Sequence, residues 1–245
     1  MLLTIKTTRY PATDLGYLLH KNPAKCHEID LSVGKAYVFF PETDPHYCSV
    51  ALLIDVDPIA LVKKNKGRSD DSFVLGQYVN DRPYVASSFL SMAIAKVFNQ
   101  SLKGVCKEKP ELLTENWPFE VCIASLPCQS KSGKELIKNL LEPLGYQVTI
   151  SEYLLNENNP DWGNAQTYTV TLKKTCFLND LLSHLYVLIP VLDNQKHYWV
   201  NEDEIKKLLK HGEGWLSNHP SKDLIVSRYL KRQRDLTDEA FDRLR

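Results

Sequence analysis

Asp55 and Asp57 close an apolar, β-branched run, Ser49–Val56, with a single residue between them. Side chains at that spacing fall on one side of a strand, where two carboxylates can supply oxygen ligands to a divalent cation. No third ligand is near them in sequence. The ordinary roles therefore compete: Asp57 capping the turn at Pro58, and Asp55 paired with a basic residue. The seven histidines are His20, His27, His46, His184, His197, His211 and His219. His20 and His184 fall in helical segments and read as capping or packing residues. His197 lies in Asn194-Gln195-Lys196-His197-Tyr198-Trp199, a polar-aromatic loop that can stack on or hydrogen-bond a base. A Cys/His nucleophile pair needs partners near in space, which sequence order does not decide. Arg228, Lys231, Arg232 and Arg234 form a basic run. On a helix, 228, 231 and 232 share a face and 234 lies off it. Such a run is either a solvated face or a contact for an acidic partner or a phosphate backbone.

Several signatures are missing. The chain has no Gly-x-x-x-x-Gly-Lys-Ser/Thr loop, no Gly-x-Ser-x-Gly elbow and no His-Glu-x-x-His helix. Gly212-x-Gly214-x-x-Ser217 follows a helix where a dinucleotide fingerprint follows a strand, and reads as a helix stop. The six cysteines (26, 48, 106, 122, 128, 176) form no Cys-x-x-Cys pair, so reduced core thiols are expected.

The elements that must position these residues alternate irregularly. Met1–Thr7 reads as a strand. Thr13 and Asp14 are N-cap candidates for a short helix with Leu15, Leu18 and Leu19 on one face. Ile29–Leu31 and Tyr37–Phe40 flank a turn at Val33-Gly34-Lys35, and Ser49–Val56 is a buried strand. Lys63–Asp71 carries no apolar residue and reads as an exposed loop. Pro83 can open a helix whose stripe is Phe89, Leu90, Ala93, Ile94, Val97 and Phe98. Beyond the charged, proline-bearing Lys103–Pro118, strands are expected at Phe119–Leu126, Tyr146–Tyr153 and Thr167–Leu172. The last two flank a polar loop, Asn156–Asn164. Helices are expected at Gly133–Leu141, from Asn179 or Asp180 to about Ile189, at Glu202–His211 and over Lys222–Arg234 and Thr237–Leu244. With no regular βαβ rhythm, the class is α+β. We expect two intimately packed mixed subdomains, 1–110 and 111–245. A faint echo between Asp14-Leu15-x-x-Leu18 and Asp180-Leu181-x-x-x-Leu185 suggests a weak internal duplication.

Composition bounds the function. The 245 residues carry 30 Lys+Arg against 30 Asp+Glu, and hydrophobic residues are 43%, enough for a sizeable core. Zero net charge excludes a generally basic nucleic-acid binder and leaves only a local patch. No run approaches the length of a membrane helix, and no signal pattern opens the chain, so a cytoplasmic protein is expected.

Several strings taken together carry a resemblance. They are Thr13–Lys21 (TDLGYLLHK), Gln77–Tyr84 (QYVNDRPY) with Ala86–Ser91, Glu142–Tyr146 (EPLGY), His184–Asp193 (HLYVLIPVLD), Lys196–Val200 (KHYWV) and Leu209–Leu216 (LKHGEGWL). In this order they resemble the N-terminal half of the bacterial RNA 3′-terminal ribose 2′-O-methyltransferase, over essentially the whole chain. That family works with a bacterial polynucleotide kinase-phosphatase-ligase in repair of RNA cut by ribotoxins. The resemblance implies that S-adenosylmethionine and a divalent metal belong to a C-terminal half, since neither Glu-x-Gly-x-Gly nor Glu-x-x-His occurs here. It also implies that this half is non-catalytic and needs no cofactor. Its role would be to bind the partner's ligase module and promote adenylation of the ligase lysine. Arg228, Lys231, Arg232 and Arg234 are the candidate partner-binding residues, as part of a charged rim. Two alternatives remain: an RNA-binding domain that presents the broken 3′ end, and a metal-dependent enzyme using Asp55 and Asp57.

Overall fold

The structure, a computed structural model, describes residues 1–57, 85–128, 130, 132–193, 202–230, 241 and 243. The Lys63–Asp71 loop, Pro83, His197, Lys231, Arg232 and Arg234 lie outside the described residues. The strands are β1 (Leu2–Thr7), β2 (His27–Leu31), β3 (Gly34–Asp44), β4 (Tyr47–Val56), β5 (Trp117–Pro127), β6 (Gln147–Leu154) and β7 (Asn164–Cys176). They form one antiparallel sheet in the order β2-β3-β4-β1-β5-β7-β6. The helices are α1 (Leu15–Leu19), α2 (Val85–Val97), α3 (Asn99–Leu102), α4 (Gly133–Leu141), α5 (Leu178–Asp193), α6 (Glu202–Gly212) and α7 (Lys222–Tyr229). The α+β class is as expected.

Alternation sorts the sheet. In β1, Leu3, Ile5 and Thr7 are buried while Leu2, Thr4 and Lys6 are half-covered. In β5, Trp117, Phe119, Val121 and Ile123 are buried and the residues between them are not. A sheet with one face packed and one face open gives this period of two. Over the packed face lies α5, apolar nearly all round and buried along most of its length, flanked by α2, α3, α6 and α7. A helix with no polar face is stable only inside a core.

Three local expectations need correction. Neither Thr13 nor Asp14 caps α1 through its side chain; the Asp14 carboxylate turns instead to Arg9 and Lys109. The helix of Asp180 does not end near Ile189 but continues through Pro190 to Asp193. Proline removes one hydrogen bond there, and burial of Val191 and Leu192 holds the last turn. Phe89, as expected of the stripe, is buried, and it packs with Val33. The sequence echo pairs the wrong helices. The first half runs β1, α1, the β3–β4 hairpin, α2; the second runs β5, α4, the β6–β7 hairpin, α5. Outward from the centre, each half places its first strand, then the second and first strands of its hairpin. The topological counterpart of the Asp14 helix is therefore α4, and that of the Asp180 helix is α2. β1 and β5 pair directly across position 110/111, so both halves contribute to one sheet and one core.

Candidate partner interface

The open sheet face is the first surface available to a partner. Its rows cross the sheet by register. Tyr37, Leu53, Leu2 and Ala124 make an apolar row, and Phe39, Ala51, Thr4, Cys122, Thr171 and Thr149 a second, increasingly polar toward β6. In the third row Glu120 accepts from Lys173 at 2.9 Å and faces Lys6 at 3.6 Å. These lysines, Lys173 foremost, hold the Glu120 carboxyl below its ordinary range. A groove of about 480 Å³ runs beside this row, lined among others by Lys6, Tyr47, Glu120, Gln147, Lys173 and Lys174.

A charged cluster fixes one corner of the molecule. Arg9 reaches Asp14 at 3.1 Å and Glu115 at 2.7 Å, and Lys109 reaches the other Asp14 oxygen at 2.6 Å. The Arg9 guanidinium lies 4.7 Å over the Trp117 ring, and Lys109 lies 4.7 Å over Tyr17. The polar segment after α3 is thereby clamped to the β1–α1 corner. Each charge there is paired or stacked, as partial burial requires. Tyr10 stands exposed beside it, its ring 5.0 Å from that of His46.

The far end of the β6–β7 hairpin exposes Tyr153, Leu154, Leu155 and Trp162. By composition Asn156–Asn164 is a polar loop; the sequence signal of the exposed tip is a Leu-Leu pair and a tryptophan on either side of an asparagine-rich turn.

The sequence-predicted residues are dispersed. Arg228 is half-buried on α7 and donates to the Val191 carbonyl of α5 at 3.1 Å. It acts there as a C-terminal cap for α5. Asp55 stands opposite Lys35 in the β3–β4 register, but Lys35 is ion-paired with Glu28. Among the described residues no group of three His, Cys, Asp or Glu side chains is arranged to hold a metal ion. His20 ends α1 in a left-handed conformation and bonds the Val105 carbonyl at 2.6 Å. His184 is buried; its Nδ1 bonds the Tyr146 hydroxyl at 2.8 Å, and its ring meets Trp215 edge-on at 5.1 Å. Burial lowers His184 to about 3 and His211 to about 4. These rings are neutral packing groups between α5, α6 and the strands. Asp193, at the end of α5, accepts a hydrogen bond from the Ser87 hydroxyl of α2. It is fully buried, and burial raises its carboxyl to about 7. The six cysteines are all free, and four are buried.

A family model described as "RNA repair, ligase-Pnkp-associating, region of Hen1" matches residues 1–245. The chain belongs to this family. Two solved structures resemble this member of the Hen1 region family. One, "Structure of the Pnkp1/Rnl/Hen1 RNA repair complex", has a TM-score of 0.58 and 14% identity, with 100% of this chain and 56% of that chain covered. The other, "Structure of Pnkp1/Rnl/Hen1 complex", has a TM-score of 0.56 and 13% identity, covering 99% and 56%. At these identities the likeness is one of fold. The chain spans a little over half the length of the chains it matches. No curated protein matches. No helix among the described residues is long and apolar enough to cross a membrane.

Proposed function

We propose that this chain is the non-catalytic, ligase-activating part of an RNA repair methyltransferase. It binds the ligase part of the bacterial polynucleotide kinase-phosphatase-ligase and raises the rate at which the ligase lysine becomes adenylated. The single observation that carries this reading is the match of the ligase-associating family over the whole chain. The molecule's surface supports it: an open sheet face with an apolar side and a hairpin that carries large apolar side chains into solvent. A protein of zero net charge holds partners through such mixed surfaces. On this reading the chain supplies contacts, needs no cofactor of its own, and leaves the reacting lysine and ATP to the partner. S-adenosylmethionine and a divalent metal are then the business of a methyltransferase half.

The test titrates this chain against the ligase-containing partner, reading affinity by calorimetry and adenylation by transfer of label from ATP. We expect binding and faster adenylation. A partner that is neither bound nor stimulated overturns the reading.

A further inference from the structure

Seven large apolar side chains are exposed among the described residues, and four of them lie on the β6–β7 hairpin. Tyr153 is 52% exposed, Leu154 42%, Leu155 61% and Trp162 65%. The tip is not a loose loop. The Leu155 N–H donates to the Gly163 carbonyl at 2.9 Å, closing the hairpin. The Asn156 carboxamide oxygen accepts from the Asn158 N–H at 2.8 Å, making an Asx turn. Pro160–Trp162 is a 3-10 turn, and Gly163 follows with φ 80°, a conformation that favours glycine. These bonds set Trp162 and Leu155 at the end of a two-stranded arm that continues directly from the edge strand β6.

The charge that the hairpin itself carries has one sign. From Ser151 to Leu172 the sequence has no Lys, Arg or His, and it has Glu152, Glu157 and Asp161. Glu152 is paired with Lys134 at 2.5 Å, whereas Glu157 and Asp161 are exposed on the turn beside the tryptophan. An apolar centre with acidic neighbours complements an apolar pocket with a basic rim. It suits neither a phosphate backbone nor an anionic lipid surface, both of which repel the two carboxylates.

We infer that the hairpin tip is the anchor of the partner contact: Trp162 and Leu155 seat in an apolar groove of the kinase-ligase protein, and Glu157 and Asp161 face Lys or Arg side chains on its rim. This rests on the function proposed above and names the surface that performs it. Exposed apolar clusters of this kind mark protein contacts, and buried aromatic anchors dominate interface energies. Among the described residues the other sheet edge offers no such arm. It is formed by β2, five residues with Glu28 and Asp30, and Lys96 donates to the Asp30 carbonyl there.

The experiment compares the full chain with a Leu155→Asn/Trp162→Ser double variant and a Glu157→Lys/Asp161→Lys double variant, each titrated against the kinase-ligase protein. Urea unfolding checks that the variants keep the wild-type fold, as exposed positions allow. The apolar variant should bind at least tenfold more weakly at any salt. The charge variant should associate several-fold more slowly, more so at low salt than at high salt. Wild type that binds, with the apolar variant binding within twofold of it, overturns this inference and leaves the proposed function standing. Wild type that does not bind overturns both. Binding of wild type to phosphatidylglycerol vesicles or to single-stranded RNA, lost in the apolar variant while partner binding persists, also overturns the assignment.

Discussion

Asp193 offers a stability measurement whose sign and size follow from its surroundings. Its side chain is fully buried at the end of α5; one carboxylate oxygen accepts from Ser87, and the other has no hydrogen-bond partner among the described residues. Burial raises its carboxyl from 3.8 to about 7, with Ser87 opposing. A raised folded-state value contributes stability that is fully present below pH 3.8 and lost as pH rises through 7. At about 1.4 kcal/mol per unit, the loss approaches about 4 kcal/mol by pH 8. Asp193→Asn keeps the shape and removes the charge, at the cost of a carboxamide N–H₂ without an acceptor, about 1–3 kcal/mol. The variant should therefore be about 1–3 kcal/mol more stable than wild type at pH 8 and no more stable at pH 4. Urea unfolding of both proteins at pH 4, 5, 6, 7 and 8 measures the difference. A difference that does not change with pH, or a variant less stable at pH 8, refutes the assignment of Asp193 as a buried, desolvated carboxylate.

Ile94 has no exposed surface and belongs to the main core, so Ile94→Ala should lose about 2–5 kcal/mol of unfolding free energy; a loss under about 0.5 kcal/mol is a surface value and would show the α2 face to be misassigned. His184 behaves opposite to Asp193. Its value falls from 6.5 to about 3, so the stability it confers is complete above pH 6.5 and drains as pH falls towards 3. Wild type should thus lose more stability between pH 6.5 and 4 than His184→Gln, and equal losses in the two proteins would contradict a buried neutral ring.

Much of the local structure was legible because it depends on neighbours in sequence. The helix Gly133–Leu141 is found at its expected residues. The Ser49–Val56 run and the stripe through Ile94 fall in β4 and α2. What was not legible depends on distant partners. Asp14 has the residue type and position of a helix cap, but Arg9 and Lys109, one of them 95 residues away, compete for its carboxylate and win. Pro190 reads as a helix stop until the packing around α5 is known. Arg228 reads as part of an exposed basic run, a solvated face or a partner contact; the carbonyl it caps belongs to another helix. The hairpin tip is not legible in the sequence because exposure of Leu155 and Trp162 is a property of the closed sheet, not of their spacing.

The central place of β1 sets the order in which the chain can be completed. Leu2 pairs with Leu53 on one side and with Ala124 on the other. As the polypeptide leaves the ribosome, the first strand can find β4 early, but its second edge stays bare until the residues of β5 have emerged. Contacts between segments so far apart in sequence close slowly, and a bare strand edge recruits other nascent chains meanwhile. A chain halted near residue 110 would hold β1 with one unpaired side and with Leu3 and Ile5 under-covered. The N-terminal half thus gains protection of this edge only when the second half is synthesised, and translational pausing between the two would leave the edge bare, whereas pausing after β7 would not.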